Sequence, residues 1–308
     1  MRATKSLLAV VAFLACMHCG GGSAPTGPTS PSPGGPPGNN PPPTPPPSSS
    51  PQVFVGAGDI GWCGSAGPEQ TARLLDMIGG TVFTAGDNAY FSGTRQEYQK
   101  CYDPSWGRHK SRTRPVPGNH EYETPGAGPY FEYFGPAAGP SGVGYYSFEL
   151  GDWHAVALNS NVAASEGSAQ AQWLRADLSA SRSRCTIAYW HHPLFTSGPN
   201  GNQVHMHDIW RILYDAGVDV IVNGHDHLYE RFAPQDPEGR ADPARGMREF
   251  IVGTGGATLY TVVTPRPNSE VRIANTYGVL KLTLQSGNYQ WEFLEVSGGG
   301  DSGSASCH

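Results

Sequence analysis

The sequence predicts an α/β (α+β) chain, a sandwich of mixed sheets covered by helices. Three observations point to it. Strand-like apolar runs alternate with helical periodicities across residues 52–296. Strand pairs joined by short turns interrupt that alternation, so a pure doubly wound parallel sheet does not fit. Four of the runs end in a loop bearing His or Asp, and ligand sites of α/β sheets form at the carboxyl ends of strands.

Taken in order, Val53-Phe54-Val55 leads into Gly-Asp-Ile-Gly and reads as a buried strand. Residues 68–78 set Leu74, Leu75 and Ile78 at helical spacing and stop at Gly79-Gly80. Residues 81–85 are a second strand, and 114–117 a short extended piece. Residues 145–150 and 154–158 read as a hairpin turning at Gly151-Asp152. Residues 169–178 form a helix with Ala171, Leu174 and Leu178 on one face. A strand at 185–190 ends in His-His-Pro. The helix at 208–216 turns Ile209, Ile212, Leu213 and Ala216 inward. A strand at 218–222 ends in Asn-Gly-His-Asp-His. Phe250 to Val252 lead into Gly-Thr-Gly-Gly, and 279–284 with 289–296 form a closing hairpin.

Not all of the 308 residues belong to that body. Residues 1–19 have a basic start (Arg2, Lys5) and a short apolar run, the pattern of a signal peptide rather than a membrane span. Leu14-Ala15-Cys16 resembles a bacterial lipobox, which implies a lipid anchor at Cys16. Phe13 departs from that pattern, so cleavage at a plain secretory site stays open. Residues 20–51 are almost wholly Gly, Pro, Ser, Thr and Asn and do not bury enough apolar area to offset their ordering entropy. Residues 52–297 make one domain, and 298–308 a polar, frayed tail. The protein is therefore expected to be exported: a surface lipoprotein, periplasmic or secreted.

The formal charge is −6, with no basic run or stripe, which argues against a nucleic-acid partner. No protein partner is predicted. Four cysteines lie beyond the signal region and allow three pairings, among which sequence alone does not choose. Cys63 and Cys101 each follow a motif loop, which favours that pair and leaves Cys185 with Cys307.

The loops, in order, are Gly-Asp-Ile-Gly (58–61), Gly-Asp-Asn-Ala-Tyr (86–90), Gly-Asn-His-Glu (118–121), His-His-Pro (191–193) and Gly-His-Asp-His (224–227). Each alone is weak; five at the exits of extended segments are a strong signal. Carboxylate and amide oxygens suit hard cations and imidazoles borderline ones. The order and spacing resemble the calcineurin-like metallophosphoesterase superfamily, and within it the purple acid phosphatases, over about residues 55–256. Ala188 stands where that pattern usually has Val.

The resemblance implies a four-layer α/β/β/α sandwich of two mixed sheets flanked by helices. It implies two metal ions, one held by Asp59, Asp87, Tyr90 and His227, the other by Asn119, His191, His225 and the bridging Asp87. Tyr90 implies Fe(III) at the first position, because a trivalent ion keeps a phenol ionised below its usual pKa of ~10; the second ion would be Fe(II), Zn or Mn. If residues 224–227 were extended, His225 and His227 would face one side and reach neighbouring metals.

The function implied is hydrolysis of small phosphate monoesters by a metal-activated water, in the manner of an acid phosphatase. His120, next to Asn119, is assigned to the substrate and to proton donation. His192 and His205 are candidate substrate contacts, with His207 a further one. A phosphodiesterase or nucleotidase on the same scaffold is the alternative, and a non-catalytic, surface-displayed metal-binding protein an alternative of another class. Gly253-Thr254-Gly255-Gly256 lacks the lysine of a phosphate loop and reads as a tight turn beside the site.

Overall fold

The structure, a computed structural model, describes residues 50–308. The predicted signal peptide, with Cys16, and the linker up to residue 49 lie outside the described residues. Among the described residues no helix is long and apolar enough to cross a membrane.

Among the described residues thirteen strands form two sheets. The first is built on parallel β1 (Gln52–Ala57), β2 (Thr81–Ala85) and β3 (Thr113–Val116). The second is built on parallel β5 (Trp153–Ala157), β6 (Cys185–Tyr189), β7 (Val220–Asn223) and β9 (Arg248–Val252), flanked by β4 (Tyr146–Leu150), β8 (Tyr229–Phe232) and β10 (Ser269–Ile273). Three antiparallel strands complete the first sheet: β11 (Gly278–Gln285), β12 (Asn288–Glu295) and β13 (Gly300–Ser306).

The sheets pack face to face on aromatic rings. Phe54 of β1 meets Tyr189 of β6 at 5.4 Å between centroids, and Tyr229 of β8 stacks on Phe293 of β12 at 4.1 Å. Period two sorts the second sheet. Ile187, Val220 and Val222 enter the core between the sheets, whereas Val156, Ala188 and Ile221 face a separate core under the helices Ala169–Ala180 and His207–Asp215. The helix Gly67–Asp76 packs on the first sheet through Ala72 and Leu75. This is the four-layer order expected.

Three details differ from the sequence reading. Ala216 caps its helix and is exposed; Trp210 takes the buried place. Strands β8 and β10 were not assigned as strands. The polar tail is not frayed: residues 300–306 pair with β12 along its whole length, and Cys307 is bonded to Cys185. An edge strand needs only its backbone for pairing, so its Gly/Ser composition carries no strand periodicity. The second disulfide joins Cys63 to Cys101, the favoured pairing.

Candidate metal centre

Five parallel strands end on one rim. The turns after β1, β2 and β3 carry Asp59, Asp87 with Tyr90, and Asn119; those after β6 and β7 carry His191 and His225 with His227. Asp59 (φ 60°), Asp87 (φ 49°) and His225 (φ 72°) have left-handed backbone, three of five such non-glycine residues among those described. Such conformations are uncommon and persist where surrounding structure fixes them, often at functional sites. Here the loops fix one another. The Asp59 amide donates to the Gly86 carbonyl at 3.0 Å, the His225 amide to Asp59 Oδ2 at 2.8 Å, and the His120 amide to Asp87 Oδ1 at 2.9 Å. Gly118 is required because a Cβ there would run into the Asp87 carboxylate.

The left-handed turn at His225 also corrects the sequence argument. Residues 225–228 are a series of bends between β7 and β8, not an extended segment. His225 and His227 reach the centre because the chain folds around it, not because residues two apart share a face.

The side chains meet as acceptors facing acceptors. His191 Nδ1 lies 2.8 Å from the Ala85 carbonyl, so in a neutral ring Nδ1 carries the proton and Nε2 is bare. That Nε2 stands 3.0 Å from Asn119 Oδ1, 3.2 Å from Asp87 Oδ2 and 3.2 Å from His225 Nδ1. His227 Nδ1 is likewise 2.6 Å from the Thr258 carbonyl, which turns a bare Nε2 to Asp59 Oδ1 at 3.1 Å. Tyr90 Oη has one proton and three acceptors around it: Asp59 Oδ1 at 2.8 Å, Asp87 Oδ2 at 3.1 Å and His227 Nε2 at 3.2 Å. Asp87 Oδ2 touches both groups. Buried acceptors at hydrogen-bond separation with too few protons repel one another unless cations lie between them. Oxygen and imidazole donors in this mixture fit metal ions.

Charge state follows from the same crowding. Burial works against charge on Asp59, but His227 holds its carboxyl below the ordinary range. Burial likewise opposes ionisation of Asp87, and His191 and His120 more than reverse it. In the protein alone a proton serves as the cation: against burial, Asp87 lifts His191 to about 9, and Asp59 lifts His227. Burial and then the charge on His191 push His225 down to about 4. Burial, Asp59 and Asp87 all push the Tyr90 phenol well up. Ionising it therefore takes a strong positive charge at the centre.

Carboxylates that sequence reasoning assigned no role hold this arrangement. Glu121 is fully buried and accepts from the Gly118, Asn88 and Ala89 amides at 2.7, 2.9 and 3.2 Å and from Tyr98 Oη at 3.1 Å. It ties the loop of Asn119 to the loop of Asp87. Burial and then Asp87 raise its pKa to about 7. Asp226, between the two histidines, accepts from Thr196 Oγ1 at 2.5 Å and the Asn200 amide at 3.1 Å; Glu230 accepts from the Ser197 amide at 2.8 Å. Both fix the loop after His-His-Pro. Their motif positions were the main signal: apart from the Gly118 amide, three residues from Glu121, the amides they accept from lie 26 to 33 residues away. Tyr260, also missed, stacks on His227 at 3.9 Å.

The remaining histidines divide. His120 is part-buried, with Nδ1 2.5 Å from the Phe91 carbonyl and Nε2 3.7 Å from Asp87 Oδ2. His192 lies with its ring 4.4 Å from that of His225 and Nδ1 2.8 Å from Ser160 Oγ. His205 stands behind it, ring centroids 5.5 Å apart, with Nε2 3.1 Å from the Ser160 carbonyl. His207 points elsewhere, 3.8 Å from Glu238 Oε1. Gly253-Thr254-Gly255-Gly256 is a turn against the site: the Gly255 amide donates to the Gly58 carbonyl at 2.9 Å.

Comparison with known proteins gives the family. The family model described as calcineurin-like phosphoesterase matches residues 11–229. Purple acid phosphatase 15 of Arabidopsis thaliana is 31% identical over 52% of this chain and 33% of its own length. Purple acid phosphatase 21 of the same plant is 30% identical over 67% of this chain and 50% of its own. The chain thus spans less than two thirds of either relative. A solved purple acid phosphatase from yellow lupin (Lupinus luteus) seeds superposes with a TM-score of 0.70 at 22% identity, over 84% of this chain and 54% of that one, which shows the shared fold. With the motif loops on one rim and the family model covering most of its length, the chain belongs to the calcineurin-like phosphoesterase family.

Proposed function

We propose that the chain is an exported, dinuclear-metal phosphatase that hydrolyses phosphate monoesters. The observation that carries this reading is the set of opposed acceptors around Asp87 Oδ2, which lies 3.1 Å from Tyr90 Oη and 3.2 Å from His191 Nε2. Asp59, Asp87, Tyr90 and His227 would hold one ion, Fe(III) on account of the phenol; Asn119, His191, His225 and Asp87 would hold the other, Fe(II), Zn or Mn. Such a pair, when bound, would supply Lewis acidity to a phosphoryl oxygen and to an attacking water.

The chain's own residues supply the rest. Water and ester give alcohol and phosphate. A P–O bond forms to the water oxygen, and the ester P–O bond breaks with its electron pair on the leaving oxygen. A proton ends on that oxygen. His120 would deliver it: the Phe91 carbonyl holds Nδ1, and Nε2 faces Asp87 Oδ2 at 3.7 Å. His192, braced by Ser160, lies over His225 where a phosphoryl oxygen would sit, and His205 supports it from behind. Two disulfides among the described residues support export, since such bonds persist in oxidising compartments.

The test is hydrolysis of an aryl phosphate monoester and an aryl phosphate diester by the full chain, as purified, after chelation and after metal is restored. Monoester turnover that chelation abolishes and metal restores is expected. Diester turnover exceeding monoester turnover would favour the diesterase reading, and no turnover of either would refute the proposal.

A further inference from the structure

We propose that Trp62 and Phe91 form an aromatic subsite that receives the flat, uncharged leaving group of an aryl phosphate monoester. The inference rests on the phosphomonoesterase reading above and names its substrate class.

Phe91 directly follows Tyr90 and is 55% exposed, although most large apolar residues among those described are buried. Trp62 directly follows the Gly-Asp-Ile-Gly turn and is half-buried. The two rings meet edge to face, 4.4 Å between centroids at 70°. The Tyr90 ring lies 5.2 Å from Trp62 on one side and 4.4 Å from His120 on the other. The aromatic surface therefore begins one ring away from the Tyr90 oxygen, beside the histidine placed to protonate the leaving group. A substituent on the ester oxygen of a phosphate held at the centre leaves past His120 and across Phe91.

The surface is rigid. Glu97 accepts from the Phe91 amide, from the Ser92 amide at 3.1 Å and from the Thr94 amide at 2.8 Å, which clamps the turn that presents the phenyl ring. Cys63, next to Trp62, is bonded to Cys101. A ring held in place before binding loses little freedom when another ring packs on it. The charge that borders it is the Glu97 carboxylate, an anion. Arg95, the nearest cation to Phe91 along the chain, is paired with Glu132 at 2.5 Å, and among the described residues no Lys or Arg lies over the Trp62 or Phe91 ring. A leaving group with further phosphates would meet the Glu97 carboxylate and no cation over either ring, whereas an aryl ring would meet ring faces and edges.

The test compares 1-naphthyl phosphate with glycerol 3-phosphate, using the metal-loaded full chain and its Phe91→Ala, Trp62→Ala and Phe91→Tyr variants. Either alanine variant is expected to raise KM for the naphthyl ester about three- to tenfold. That lowers the aryl-over-alkyl ratio of kcat/KM by a similar factor, and Phe91→Tyr is expected to retain the parent ratio. A parent that turns over both esters while the alanine variants keep its ratio overturns the subsite and leaves the phosphatase standing. An equal fall in kcat for both esters also overturns it, because Phe91 would then only hold His120. A parent that turns over neither ester refutes the phosphatase, and the subsite with it.

Discussion

Replacing Glu121 by Ala removes a buried acceptor that no other group replaces. Three backbone amides, of Gly118, Asn88 and Ala89, lose their partner, together with Tyr98 Oη. A buried donor left without a partner costs ~1–3 kcal/mol, so the three amides alone cost ~3–9 kcal/mol. Water admitted to the vacated space recovers part of this, which sets the expectation near ~3–5 kcal/mol. Against a total domain stability of ~5–15 kcal/mol, that is a large loss. Glu121→Gln keeps a carbonyl oxygen for the Asn88 and Ala89 amides and sets an NH2 against only the Gly118 amide, so it should cost ~1–3 kcal/mol. Urea unfolding of the metal-free protein measures both, with metal linkage removed from the comparison. A loss below ~1 kcal/mol for Glu121→Ala, or equal losses for the two variants, would refute the reasoning that this carboxylate binds the Asn119 loop to the Asp87 loop.

Tyr90→Phe should abolish a visible charge-transfer band of the iron-loaded protein while leaving it folded, because only one oxygen is removed; a colourless, active parent would contradict the iron assignment. His154 is held between Glu149 and Asp177, 2.8 Å from each, and although burial opposes its charge the two carboxylates raise its pKa. A raised folded-state pKa gives stability that is complete below the unfolded value of ~6.5 and lost as pH rises through the folded value. The melting-temperature gap between parent and His154→Leu should therefore narrow as pH rises above ~6.5; a gap independent of pH would contradict the ion pairs. Cys307→Ser opens a disulfide spanning 122 residues and should lower stability by ~4–5 kcal/mol on the chain-entropy account, read by non-reducing urea unfolding; a loss under ~1 kcal/mol would show that β13 holds its place without the bond.

The parts legible in the sequence were those with local chemistry. A glycine beside an Asp or His at a strand exit marked the turns of Asp59, Asp87 and His225, because the left-handed backbone there and the close approach at Gly118 are short-range demands. Period two and period 3.6 gave most strands and the three longer helices. What stayed hidden depends on distant partners. The roles of Glu121, Asp226 and Glu230 are set largely by the amides of Asn88, Ala89, Asn200 and Ser197, which loops bring from 26 to 33 residues away; only the Gly118 amide is near Glu121 in sequence. Strand β13 pairs through backbone alone, so its Gly and Ser read as a tail. The inference about His225 and His227 reached the right place by the wrong route, since periodicity does not apply where φ is left-handed.

The account rests on Asp87 serving two cations at once, and elemental analysis of the full chain beside its Asp87→Ala variant addresses that directly. Asp87 Oδ2 is within 3.2 Å of donors from both halves of the centre, so the parent should carry about two metal ions per chain and the variant should lose both, with loss of monoester hydrolysis. A variant that keeps both metals, or a metal-free parent as active as the loaded one, would contradict it.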